Sequence, residues 1–280
     1  MKAKHLIELS LAAATLMLAA CQAAQPAAIS PVAQTITVKG SDFAFEGPAE
    51  AQSGWVTVNF SNVGQEAHHA QFAKLNDSVT PQQIQDALKK SEQEALALVT
   101  LVGGPSVIDP NGNGSVTMNL TPGQYMLLCF LPSADGVPHL AKGMVSMLTV
   151  KGSGPSTAAE PKADVTINAA DFHYTMPAEV KAGKQVWKFT NDGPQPHEIV
   201  IMKLDEGKTP DDVFAFFAKP EGKPPFVDLG GMQGVSKGAA PAFINLDLQA
   251  GNYIAICNIP DSQTGKSHAE LGMVMPFTVK

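Results

Sequence analysis

The chain is written twice. Ile36-Thr37-Val38 followed by Asp42-Phe43 returns as Val165-Thr166-Ile167 followed by Asp171-Phe172, and Asn62 to His68 returns as Asn191 to His197. The offset is 129 residues at Asp42, Asn62, His68, His139 and Met144, and 128 at Cys129. An in-register repeat of that length is a duplicated domain rather than a solenoid of short units. Any fold assigned to one half must therefore also suit the other. Stretches rich in Ala, Gln, Gly, Ser and Pro frame the copies as linkers. The expected layout is a leader over 1–20, a linker over 21–34, a first domain over 35–152, a linker over 153–163 and a second domain over 164–280.

Within each copy the local signals are mostly β. Val56 to Phe60, Ser115 to Leu120, Val186 to Thr190 and Ala242 to Leu248 alternate apolar and polar residues, with Gly and Pro between them. Many short strands separated by turn residues indicate an all-β sandwich or barrel. One helix interrupts each copy. Thr80-Pro81 and Thr209-Pro210 place an N-cap threonine before a first-turn proline. The first helix is predicted to run to about Val99, and the second to be stopped early by Pro220. The paired glycines Gly103-Gly104 and Gly230-Gly231 read as turns.

The N-terminus carries Lys2, Lys4 and His5, then an apolar stretch from Leu9 to Ala20. This is the pattern of a signal peptide, too short to span a membrane. Leu18-Ala19-Ala20-Cys21 resembles the lipobox of bacterial lipoproteins, which implies cleavage before Cys21 and a lipid on its thiol. An ordinary secretory signal cut nearby is the plainer alternative. The net charge is −7 and every basic side chain is lysine, so nucleic acid is not an expected partner. An export compartment permits disulfides, yet only Cys129 and Cys257 remain beyond Cys21. Each needs its own explanation.

Both copies present the same order of ligand-type side chains: His68, Cys129, His139 and Met144, then His197, Cys257, His268 and Met273. A thiolate and two imidazoles with a weak thioether suit a mononuclear copper site. An antiparallel sandwich brings a strand from mid-domain beside the hairpin near its end, so a histidine some 60 residues upstream of the cysteine can reach it. The bland alternatives are a Cys129–Cys257 disulfide or ordinary buried thiols. These leave the recurring His and Gly-Met unexplained. His69 and His173 have no histidine at the aligned position, where Glu198 and Ala44 stand, and are assigned surface or packing roles rather than ligation.

On these eight residues the chain resembles tandem cupredoxins, the blue copper proteins. The resemblance implies two Greek-key sandwiches, each holding a type 1 copper that alternates between Cu(II) and Cu(I). Nine and ten residues separate each cysteine from the following histidine, a long loop for the simplest members. The residue after the first ligand, often Asn in the family, is His69 in one copy and Glu198 in the other. Linked cupredoxin domains also occur in multicopper oxidases and copper nitrite reductases, which need further clustered histidines. Six histidines follow Cys21 and four are committed, so no enzyme activity is expected. The expectation is an exported, lipid-anchored electron carrier of the bacterial cell envelope, with redox proteins and the membrane surface as partners. The alternatives are copper storage, delivery or sensing, and an interaction module without redox activity.

Overall fold

The computed structural model describes residues 33–152 and 158–280. The leader, Cys21 and most of the first linker lie outside them. Each copy contains nine strands. In the first these are β1 (Gln34–Ser41), β2 (Ala44–Glu46), β3 (Glu50–Gln52), β4 (Gly54–Asn62), β5 (Gln71–Leu75), β6 (Val99–Leu101), β7 (Asn113–Leu120), β8 (Gly123–Leu128) and β9 (Val145–Lys151). The second repeats them as β10 (Val165–Ala170), β11 (His173–Thr175), β12 (Glu179–Val180), β13 (Gly183–Asn191), β14 (His197–Leu204), β15 (Phe226–Val235), β16 (Ala242–Leu248), β17 (Gly251–Ile256) and β18 (Val274–Val279). Among the described residues no helix is long and apolar enough to cross a membrane.

Each copy is a two-layer sandwich. The inner faces follow from the period of two: Val56, Val58 and Phe60 of β4 are buried and meet Phe72, Tyr125, Leu127 and Leu148 from the facing sheet in one apolar core. One layer is a five-stranded sheet, ordered β3-β9-β8-β5-β6 in the first copy and β12-β18-β17-β14-β15 in the second. The other layer is shared. A single eight-stranded sheet runs β11-β10-β13-β16-β7-β4-β1-β2 through both copies. The joint is the antiparallel pair β7 and β16, in which Val116 faces Ile244 and Met118 faces Ala242.

A second seam lies between the other two sheets, where the Gly-Gly pairs sit. Gly103 N–H donates to the Gly234 carbonyl (3.0 Å) and Gln233 N–H to the Gly104 carbonyl (2.8 Å). Gly104 and Gly231 have φ of +139° and +138°, and a Cβ on either would collide with the carbonyl oxygen of Ala70 or Ile199. Only glycine allows that approach.

The helices differ from expectation in one respect. Thr80 and Thr209 are N-caps as expected, and each completes a capping box, with Gln83 and Asp212 respectively. The first helix, however, does not reach Val99: α1 (Pro81–Leu88) ends at Lys89, and α2 (Glu92–Leu96) starts afresh. Ser91 causes the restart, because its backbone is extended and its side-chain hydroxyl accepts the Glu94 N–H (3.1 Å) as a new cap. The helix of the second copy, α3 (Pro210–Ala218), stops before Pro220 as expected.

Candidate metal centre

Each cysteine lies one residue past a strand, Cys129 after β8 and Cys257 after β17, where the chain turns out of the sheet. The loop to the second histidine is tied down by backbone bonds that recur bond for bond. Leu140 N–H donates to the Cys129 carbonyl (2.8 Å), Met144 N–H to the His139 carbonyl (3.0 Å) and Cys129 N–H to the Met144 carbonyl (3.4 Å). Their counterparts are Ala269 to Cys257 (2.8 Å), Met273 to His268 (2.8 Å) and Cys257 to Met273 (3.3 Å). This ladder brings cysteine, histidine and methionine together in spite of the long loop.

The first histidine is delivered by a different device. The Asn62 side-chain amide donates to the carbonyls of Glu66 and Ile108, both at 2.8 Å, and accepts the Gly64 N–H at 2.9 Å. Asn191 does the same with Gln195 (2.7 Å), Val235 (2.8 Å) and Gly193 (2.8 Å). His197 opens β14. His68 lies ahead of β5, pairing only in an isolated bridge with Ile108.

These devices converge the predicted side chains. His68, Cys129 and His139 form one group and His197, Cys257 and His268 a second, with the candidate ligand atoms of each within 4.8 Å of one another. In site 1 the two Nδ1 atoms are 3.0 Å apart and Cys129 Sγ is 3.4 Å from His139 Nδ1. In site 2 the corresponding distances are 3.1 and 3.4 Å. All six residues are buried, as are Met144 and Met273. Cys129 and Cys257 are free thiols, which removes the disulfide alternative.

The outward nitrogens explain why these donors need a cation. His68 Nε2 lies 2.7 Å from Asp42 Oδ1, and His197 Nε2 lies 2.7 Å from Asp171 Oδ1. His139 Nε2 lies 2.9 Å from Glu66 Oε2. A carboxylate accepts, so each of these Nε2 atoms carries the proton. Burial holds His68, His197 and His268 below the ordinary imidazole value, which keeps the rings neutral. A neutral ring protonated on Nε2 presents a bare lone pair at Nδ1. In site 1 two such lone pairs face each other beside a thiol. With metal–nitrogen bonds of about 2.0–2.1 Å, that separation is what two ligands on one ion span. The soft sulfur with two imidazoles suits copper, and the carboxylates behind the rings fix tautomer and orientation.

The thiols fit the same purpose. Burial pushes Cys129 up to about 11, and burial with the neighbouring Glu198 carboxyl pushes Cys257 up to about 12. Neither is a nucleophile at neutral pH. A bound cation would ionise them directly.

Sequence reasoning passed over several residues here. Asp42 and Asp171 stood out only as markers of the repeat, and Glu66 carried no repeat signal because Gln195 replaces it. His69 is not a surface residue. It is buried, and its Nε2 accepts the Phe130 N–H at 2.8 Å, next to Cys129. Glu198 does the equivalent for Asn258 N–H (2.9 Å), next to Cys257. Burial drives His69 down to about 3 and Glu198 up to about 7. Both residues line a cavity of about 360 Å³ between the copies. His173 is exposed on β11 and belongs to neither group, although its charge reaches His197.

No family model matches the chain, and no curated protein matches it. Among solved structures it is similar to auracyanin from the photosynthetic bacterium Roseiflexus castenholzii, at 20% identity over 44% of this chain and 100% of that one, with a TM-score of 0.30. It is also similar to the blue copper oxidase from Nitrosomonas europaea, at 14% identity over 89% and 86% of the two chains (TM-score 0.27). Copper nitrite reductase from the same organism matches at 16% identity over 89% and 94% (TM-score 0.24). With nine strands per copy in facing sheets and a buried His/Cys/His group in each, the described residues have the fold of two cupredoxin-like β-sandwiches in tandem.

Proposed function

We propose that this chain is an exported one-electron carrier with a type 1 copper in each domain. The ligands in this reading are His68, Cys129, His139 and Met144 in site 1, and His197, Cys257, His268 and Met273 in site 2. The observation that carries it is the convergence, in each copy, of two buried imidazole nitrogens and one buried thiol. Bound copper supplies a Cu(II)/Cu(I) couple, and a trigonal nitrogen–nitrogen–sulfur set with a distant thioether suits both of its states. The protein's part is to keep the donors still and dry. The carboxylate and backbone bonds hold each imidazole and each loop, and the surrounding core excludes water.

Burial of all eight donors favours a carrier over a delivery protein, since handing copper to a partner requires donors it can reach. The histidines outside the two groups, His69 and His173, do not assemble a third centre among the described residues. The lipobox-like sequence ending at Cys21 supports tethering to an envelope membrane, where acyl chains anchor a protein without a spanning helix. Partners would then be redox proteins at that surface.

The test is copper stoichiometry and the visible spectrum of the protein from residue 22 onward, beside Cys129→Ser and Cys257→Ser. Two coppers per chain and an intense thiolate-to-copper band, halved by either substitution, are expected. Copper binding without such a band, or a band untouched by both substitutions, would sink the type 1 reading.

A further inference from the structure

The two sites match donor for donor but not behind the second imidazole. In site 1 both outward nitrogens meet a carboxylate: His68 meets Asp42 at 2.7 Å and His139 meets Glu66 at 2.9 Å. In site 2 His197 meets Asp171 at 2.7 Å, while His268 Nε2 is buried without a hydrogen-bond partner. The residue aligned with Glu66 is Gln195. Its amide donates to Asp261 Oδ1 (2.9 Å) and accepts the Ser262 N–H (3.0 Å), so it is committed to the loop.

We propose that Glu66 makes the two copper sites unequal, lowering the reduction potential of site 1 through His139. The inference rests on the reading that both sites hold copper. A carboxylate that accepts the Nε2–H makes the imidazole a stronger donor at Nδ1. It also places a negative charge behind the ring. Both effects stabilise Cu(II) more than Cu(I), because the attraction grows with the charge of the ion. The Glu66 side chain is 35% exposed, so solvent screens part of the effect. Glu198 and Tyr174 face Cys257 and act on site 2 through the sulfur, so they stay unchanged in the test. Glu66 is thus a redox-positioning residue, acting through a ligand without being one.

The experiment uses single-site proteins. Cys257→Ser leaves site 1 and Cys129→Ser leaves site 2. Glu66→Gln keeps a hydrogen-bond acceptor and removes the charge. In the site 1 protein it should shift the Cu(II)/Cu(I) preference roughly tenfold toward Cu(I), which is about 59 mV upward for a one-electron couple. The reciprocal change in the site 2 protein is Gln195→Glu made in an Asp261→Asn background and read against Asp261→Asn alone, because the Asp261 charge already acts on His268. It should shift the preference the other way. Chelator competition on the same proteins reads Cu(II) and Cu(I) affinities separately and needs no visible band. A roughly tenfold loss of Cu(II) affinity in Glu66→Gln, with Cu(I) affinity unchanged, supports the assignment even if the band is missing and the type 1 reading has failed. An unchanged potential, or equal losses for both ions, overturns it.

Discussion

The residues that decide whether these sites can form are the ones holding the rings rather than the rings themselves. Asp42 and Asp171 keep the proton on Nε2 of His68 and His197, and Gly64 and Gly193 leave room for that contact. A Cβ on Gly64 would come within 2.7 Å of His68 Nε2 and press on Asp42 as well; one on Gly193 would come within 2.7 Å of His197 Nε2. Gly64→Ala is therefore expected to weaken copper binding at site 1 by 10–100-fold, the usual cost of losing an outer partner of a ligating histidine, with site 2 unaffected. Chelator competition on single-site proteins would show it, and equal affinities would refute the steric argument. The ligands were legible in the sequence because side-chain type and spacing recur together. Their partners were harder to see. The Asp42–His68 contact spans 26 residues and exists only because the β1–β2 turn is folded against the loop after β4. Glu66 was invisible to repeat analysis because it is where the copies differ.

Among the elements, the loop between β4 and β5 carries the greatest burden, and one asparagine organises it. Asn62 is buried, and its amide group joins three backbone atoms of that loop and the segment before β7. Asn62→Ala would leave two carbonyls and one N–H without their partner, at a cost of about 1–3 kcal/mol for each group that water does not reach. Copper-free Asn62→Ala should show a clearly lowered Tm. A Tm within a degree of the parent would mean that the loop is held by its flanking strands. Strand positions could be read from the alternation of apolar residues, and helix starts from Thr-Pro. The break in the first helix was not foreseen because Lys89-Lys90-Ser91 suits a continuing helix as well as a stop and restart. The geometry settles it, since Ser91 adopts the extended conformation of a cap.

At the scale of the molecule, two copies became one body through pairings that alternation does not specify. A period of two assigns the faces of β7 and β16 but not which edge meets which, so the eight-stranded sheet could not be read in advance. That union has an electrostatic cost. Asp109 of the first copy and Asp228 of the second lie together where the copies meet, with the Asp228 N–H bonded to the Asp109 carboxylate. Burial, reinforced by the Asp109 charge, pushes Asp228 up to about 7. In the unfolded chain the same carboxyl titrates near 3.9. The folded state therefore binds more protons between those values, and stability is greatest below about pH 4 for this group and is lost as pH rises toward and through 7. Asp228→Asn removes the titration and keeps the shape. In copper-free protein it should raise stability at pH 8 by roughly 1–2 kcal/mol, with the gain shrinking to nothing near pH 4. Glu198, also raised to about 7 by burial, preserves part of the slope in the variant. Denaturant midpoints for the parent and variant across that range would test this. A variant no more stable at pH 8 than at pH 4, relative to the parent, would show that Asp228 meets enough water to ionise freely and that the joint bears no charge penalty.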